Sequence, residues 1–248
     1  MTIGQAIILG IVEGITEYLP ISSTGHLVLT AGLLGLDDAE TKRAIDAFLI
    51  VIQGGAILAV LGLYRQRVAR MIAGLAGRDV AGRRLAVNLA VAFLPAAVLG
   101  PLLNDAIEAR LFHPVPVVIA LAVGGVVMIA LGPWQRRFFD ADGNNDGHGF
   151  VDLEQLSWRQ ALLIGLMQCV AMWPGTSRSM VTIVGGMLVG MRGRQAAEFS
   201  FLLGLPTLGG ACVYRIGKSA IGGEASMFTT FGWLAIVAGL AAATTGTG

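Results

Sequence analysis

Five stretches of this sequence, 44–64, 85–103, 115–133, 196–214 and 228–243, run almost free of charge for close to the ~20 helical residues that cross ~30 Å of hydrocarbon. No water is available there to satisfy backbone N–H and C=O groups, so a chain with several such stretches must fold as helices. Only 13% of its residues are charged, about half the ~25% of an ordinary soluble domain, and its 35 glycines suit close helix–helix contact in a bilayer. The fold class expected is an all-α polytopic membrane protein. Lys+Arg and Asp+Glu nearly cancel, 17 against 16. No global field therefore attracts a polyanion, which excludes nucleic acid as a partner and leaves any anionic ligand to a local site.

Cys169 and Cys212 lie in apolar stretches without CxxC spacing and read as small hydrophobes. The N-terminus shows no basic region ahead of an apolar core and a cleavage site, and Glu13 interrupts the first apolar run, so the first helix is expected to be retained.

Four further apolar runs, 3–12, 27–36, 160–172 and 180–191, are too short to cross alone. They form two pairs, each split by a polar break containing proline. Such pairs predict re-entrant hairpins, 3–36 and 160–191, whose broken backbone must line a cavity or be buried in protein. The stretch from Gly10 also aligns with that from Gly165, with one gap before the proline. Two units follow: 1–133, a hairpin plus three spans, and 160–248, a hairpin plus two spans without a third, joined by a loop over 134–159. Arg65, Arg67, Arg70, Arg78, Arg83 and Arg84 place the loop between the first two spans in the cytoplasm, as Arg136 and Arg137 do for 134–159 and Arg192 and Arg194 for the loop after the second hairpin. The first hairpin then enters from outside and the second from inside. This predicts an inverted-topology repeat whose two hairpins meet near the bilayer midplane.

The first break reads EGITEYLPISSTGH over 13–26. Glu13 and Glu17, four apart, share one helix face, where two bare carboxylates are costly in an apolar setting. A divalent metal or an arginine between them would offset this; alternatively one is protonated and both hydrogen-bond neighbouring helices. Pro20 ends the helix. Ser22, Ser23 and Thr24 follow, either as caps of the next half-helix or as ligands and nucleophile at its anion-attracting end, with His26 near enough to serve as base or acid.

The second break reads MWPGTSRSMVTI over 172–183. Arg178 sits at its tip between Ser177 and Ser179. Its planar fork can grip two phosphate oxygens, with Thr176 and Ser177 as further donors; the alternative is an ion pair with Glu17. Residues 142–147 have the start of a calcium loop, but position twelve is Leu153 and the acid arrives one place late at Glu154, so a solvated loop is expected. His113 and His148 have no polar constellation near them in sequence and receive no role.

At EGITEYLPISSTGH and PGTSRS the chain resembles the bacterial undecaprenyl-diphosphate phosphatases, also called bacitracin-resistance proteins, over nearly its whole length. The resemblance implies removal of the terminal phosphate of undecaprenyl diphosphate, a polyprenyl diphosphate lipid, giving the carrier used in peptidoglycan synthesis. It implies a divalent cation, Mg or Ca, with Glu13 and Glu17 as its acidic motif. Ser23 would be the nucleophile, His26 a proton-transfer group and Arg178 the diphosphate ligand, with Ser22, Thr24, Thr176, Ser177 and Ser179 around the substrate. Met180 stands where the family commonly has glycine. The bacterial cytoplasmic (inner) membrane is the expected location, with the site open to the outer, periplasmic side. Attack by Ser23 or directly by water, and a monomer or a homodimer, both stay open. Broken helices in inverted repeats also suit a transporter or flippase of a phosphorylated polyprenyl lipid, which needs charged groups but no nucleophile.

Overall fold

Helix follows helix along the chain because its apolar runs are long and backbone groups in a bilayer must find their partners within the segment. The computed structural model describes residues 1–36, 42–111, 113–139, 150–221 and 231–245. Ten α-helices occur among them: α1 (Ile3–Thr16), α2 (Ser23–Leu33), α3 (Lys42–Leu63), α4 (Arg65–Leu75), α5 (Val80–Leu111), α6 (Pro114–Phe139), α7 (Trp158–Gln168), α8 (Arg178–Leu188), α9 (Gly193–Ile221) and α10 (Trp233–Thr245). A 3₁₀ turn, Cys169–Met172, ends α7. Among the described residues there is no strand.

Four segments are long and apolar enough to cross a membrane: Ala44–Leu63, Val80–Ile107, Pro114–Pro133 and Gly193–Tyr214. They are the first four expected spans, and the chain is a multi-pass membrane protein. The fifth is shorter than expected. Residues 228–230 lie outside the described part, and α10 has 13 residues, a rise of about 20 Å. Two loops also differ. The basic stretch after the first span is the helix α4, whose Val68 and Met71 pack on the core while Arg67 and Arg70 face acids. The expected loop over 134–159 begins later, since α6 continues to Phe139. The start of the candidate calcium loop, 142–147, lies outside the described residues, and Glu154 accepts from Arg67 and Arg70 at 3.0 and 2.9 Å.

The two hairpins, α1–α2 and α7–α8, repeat each other bond for bond at one constant offset along the chain. Thr2 caps α1 while Gln5 bonds back to the Thr2 N–H; Ser157 and Gln160 do the same for α7. Gln5 Nε2 then donates to Leu34 O at 3.1 Å, and Gln160 Nε2 to Val189 O at 3.0 Å, closing each hairpin across its open end. Ser22 and Ser177 cap the second helix of each.

Each hairpin leans on a helix distant in sequence: α1 packs on α10 and α7 on α5, while α3 and α9 also meet. Lipid tails are as apolar as the side chains, so this contact rests on close packing. A Cβ on Gly10 would lie 2.3 Å from Gly239 O, and one on Gly165 would lie 2.2 Å from Ala92 O. One buried cluster around Leu9, Leu27, Phe48 and Ile236 holds the first hairpin. Another, around Ile164, Met187, Phe199 and Leu203, holds the second.

Candidate active site

Each break is set by local chemistry. Pro20 has no N–H with which to continue α1, and the chain turns through Ser22, whose φ of 68° is unusual for a residue with a side chain. Ser22 Oγ then accepts from Gly25 N at 3.3 Å and starts α2. In the second break Pro174 is followed by Gly175 at φ 96°, where a Cβ would also lie 2.5 Å from Val117 O, so only glycine fits. Ser177 accepts from Met180 N at 3.2 Å and starts α8.

The breaks touch. Ser179 Oγ donates to Leu19 O at 2.9 Å and lies 3.0 Å from Ser177 Oγ. Arg178 Nη2 donates to Glu17 Oε1 at 2.8 Å, and Nη1 donates to Ser200 O at 2.8 Å. The ion pair read as an alternative for Arg178 is therefore formed. Glu17 uses its other oxygen, Oε2, to accept a short hydrogen bond from Ser23 Oγ. Nucleophile candidate, carboxylate and guanidinium form one continuous chain across the two hairpins.

That chain lines a cavity of about 170 Å³, whose other walls include Ser22, Thr24, Thr176, Ser177 and Ser179. Two expected groups stand apart from it. Glu13 is fully buried behind Glu17, and neither of its carboxyl oxygens has a hydrogen-bond partner among the described residues. His26 does not reach Ser23 Oγ: its Nδ1 lies 2.8 Å from Ser22 O. The ring lines a second cavity of about 430 Å³ with Pro20, Ile21, Leu121, Gly124 and Met180, a largely apolar space that shares Ser22 and Ser177 with the first. Met180 thus contributes to the wall of this second cavity.

Sequence reading missed Gln53, Gln168 and Thr207 in the polar cavity, and Ser200 behind Arg178. Each is a polar side chain inside a long apolar run, the same signal that singled out the glutamates. Tyr18 was missed as well; its hydroxyl donates to Ala56 O, and its ring meets Phe201 edge-on at 5.0 Å, fixing the helix end that carries Glu17.

Both carboxylates reach one place from adjacent turns of α1 and its C-terminal end, but no group of three or more His, Cys, Asp or Glu side chains occurs among the described residues. A metal here would have one or two carboxylate ligands, which suits an ion such as Mg²⁺ that keeps several waters and takes substrate phosphate oxygens. Glu13 offers two unpaired oxygens to such an ion from behind, while Glu17, which lines the polar cavity, is the carboxylate on the side where waters and phosphate oxygens would complete the shell.

Comparison with known proteins gives consistent relatives. The chain is 47% identical over 237 residues to the undecaprenyl-diphosphatase of Sorangium cellulosum (strain So ce56), covering 96% of this chain and 73% of that protein. It is 46% identical over 226 residues to the undecaprenyl-diphosphatase of Cupriavidus metallidurans, covering 87% and 75%. To undecaprenyl-diphosphatase 2 of Rhodospirillum rubrum it is 48% identical over 215 residues, covering 87% and 73%. Residues 6–247 match the family described as bacitracin resistance protein BacA, and with that match over almost the entire length this chain belongs to the BacA family.

Proposed function

We infer that the protein is an undecaprenyl-diphosphate phosphatase: it hydrolyses undecaprenyl diphosphate to undecaprenyl phosphate and inorganic phosphate. The observation that carries the mechanism is the chain Ser23–Glu17–Arg178 at a polar cavity between the two breaks. Glu17 takes the proton of Ser23 Oγ as that oxygen bonds to the terminal phosphorus, and the bond from phosphorus to the bridging oxygen breaks. Undecaprenyl phosphate leaves with the proton that Glu17 took, so that Glu17 is again a carboxylate. Water then attacks the phosphoserine, giving up a proton to Glu17, which returns it to Ser23 Oγ as the bond from phosphorus to the serine oxygen breaks and inorganic phosphate departs. Such transfers depend on position and on charge placed against the phosphoryl oxygens. Arg178 supplies that charge, and the first N–H groups of α2 and α8, at Ser22 and Ser177, supply further donors.

Glu13 and Glu17 would hold a divalent cation, which supplies additional positive charge at the phosphate oxygens. The adjoining apolar cavity takes the part of the lipid nearest the diphosphate, and the rest of the 55-carbon chain, far larger than either cavity, extends into the bilayer. His26 faces that side and acts on the leaving phosphate rather than on Ser23. The arginines of α4 support a cytoplasmic location for that end of the molecule, and with it a site open toward the outer face of the bacterial inner membrane.

Phosphate release from C55 polyprenyl diphosphate by the purified protein in detergent, with and without chelator, tests this reading. Chelator-sensitive release, with labelled phosphate trapped on Ser23 in a quenched reaction, is expected. An active enzyme that never carries label would replace serine attack by direct attack of water. Lipid binding without any release would point to transport.

A further inference from the structure

Gln53 is the only hydrogen-bonding side chain between Ala47 and Leu63 of α3, and it lies in the wall of the polar cavity. Its position has a counterpart. The constant offset that pairs Thr2 with Ser157 and Ser22 with Ser177 also lays Gln53-Gly54-Gly55-Ala56 over Leu208-Gly209-Gly210-Ala211 of α9. The match extends to packing: a Cβ on Gly55 would lie 2.5 Å from Leu240 O of α10, and one on Gly210 would lie 3.1 Å from the Phe93 ring of α5, the two helices on which the hairpins lean. Leu208 lines the polar cavity as well. One half of the chain thus fills this place with an apolar side chain, so packing does not call for an amide in the other half. An amide inside a membrane span is costly unless something meets it.

Most polar groups around Gln53 are already engaged within the protein. Ser179 gives its hydroxyl proton to Leu19 O, which leaves Ser177 to donate to Ser179. Thr207 donates to Leu203 O, and both oxygens of Glu17 accept, from Ser23 and from Arg178. The side-chain amide of Gln53 makes no hydrogen bond with the described residues at either end. Nothing among them fixes which end faces the cavity, so the ligand decides. The oxygens of a diphosphate are acceptors, and against them the amide turns its nitrogen, which carries two donors.

We propose that Gln53 is a substrate-binding residue whose side-chain N–H donates to a phosphate oxygen of the diphosphate. It brings a donor from a full span, α3, to a site whose other phosphate-facing groups belong to the two hairpin breaks. The proposal rests on the diphosphatase reading for the identity of the anion, and the experiment separates the two.

A non-hydrolysable farnesyl methylenediphosphonate is titrated into the detergent-solubilised full chain. Gln53→Leu, which installs the side chain that α9 carries at this place, is expected to fold with an unchanged or higher Tm and to bind the probe about 10- to 100-fold more weakly, the range for a lost hydrogen bond to a charged group. Gln53→Met, which keeps the length of the side chain without a donor, loses a similar factor. In turnover of C55 polyprenyl diphosphate both variants raise KM far more than they lower kcat, the mark of a contact already made before the transition state. Probe binding by folded Gln53→Leu within about twofold of the unaltered protein overturns the proposal. So does a lowered kcat at unchanged KM, which would place the amide on the attacking water instead. If Gln53→Leu does not fold, Gln53→Met is read by the same limits; if neither folds, the amide is structural and the proposal falls. Phosphate release by the unaltered protein judges the diphosphatase reading by itself. Release together with equal probe binding in all three proteins removes Gln53 and leaves that reading standing, whereas a protein that neither releases phosphate nor binds the probe removes both.

Discussion

Replacing Glu17 by Gln separates what the carboxylate does for the fold from what it does for the reaction. Its two oxygens accept from Arg178 Nη2 and from Ser23 Oγ. Glutamine keeps the shape and, with its oxygen toward Arg178 and its N–H donating to Ser23 Oγ, can keep both contacts, but it removes the negative charge and the oxygen that accepts the Ser23 proton. The guanidinium is then left with neutral oxygens alone, the amide oxygen and Ser200 O, and its Nε has no partner among the described residues. Stripping one member from a buried ion pair costs about 3–5 kcal/mol. At roughly 2–4 °C per kcal/mol for a chain of this size, Tm falls by about 6–20 °C. Loss of the proton acceptor costs about 10²–10⁴ in rate. The double variant Glu17→Gln, Arg178→Met removes both charges and recovers most of the stability, because a neutral pair of similar volume no longer strands a charge. Turnover does not recover. Thermal unfolding in detergent beside single-turnover phosphate release reads both quantities. Activity that returns with Tm in the double variant would show that Glu17 is structural, and near wild-type turnover in Glu17→Gln would remove it from the mechanism.

Three further outcomes follow from packing and charge. Gly204→Ala builds a methyl 3.1 Å from Arg178 Nη2 and 3.2 Å from Nη1; the guanidinium must yield by a few tenths of an ångström, so kcat falls about tenfold while Tm holds or rises, alanine being ~1 kcal/mol better than glycine inside a helix. Equal loss of rate and stability would refute this. Gly10→Ala and Gly165→Ala press a methyl into backbone carbonyls, which no rotamer change relieves, and each is expected to cost at least ~2–3 kcal/mol by thermal unfolding, whereas Gly124→Ala, whose Cβ meets the flexible end of Met180 at 3.7 Å, is tolerated. Asp79 Oδ1 accepts from Gly82 N at 2.8 Å and Oδ2 from Arg70 at 2.9 Å, which hold its carboxyl below the ordinary carboxylate value. Its contribution to stability is present above that ordinary value and disappears as pH falls through the lowered one, so the stability difference between the unaltered protein and Asp79→Asn should shrink on acidification through that window.

Spans and breaks were legible in the sequence because a bilayer turns hydropathy into length. The first four spans appear where the apolar runs lie, and the hairpins break at Pro20 and Pro174. Helix α4 was not, because its arginines dominated the reading of a stretch whose Val68 and Met71 already carried the spacing of a buried face. At the site, neighbourhood along the chain misled for His26, three residues from Ser23 but bonded to the backbone of Ser22. The group that Ser23 does touch, Glu17, is six residues away and returns across the turn at Pro20 and Ser22, a path that depends on a positive φ no residue pattern announces. Gln168 and Thr207 were visible as letters but not as a pair, since only the folded chain brings them within 3.3 Å of each other.

The contact between α1 and α10 also sets an order of assembly. The hairpin that carries Glu13 and Glu17 emerges first from the ribosome, yet the helix it packs against begins at Trp233, and the guanidinium that pairs with Glu17 belongs to residue 178. At roughly 5–20 residues per second, the opening segment waits on the order of 10–40 s for its docking surface. Throughout that interval the two acidic groups lack the arginine, and α1 lacks its largest packing partner, having only α2 and α3 beside it. Assembly of this site is therefore a late event: the first hairpin gains its full set of partners only when α10 has been made.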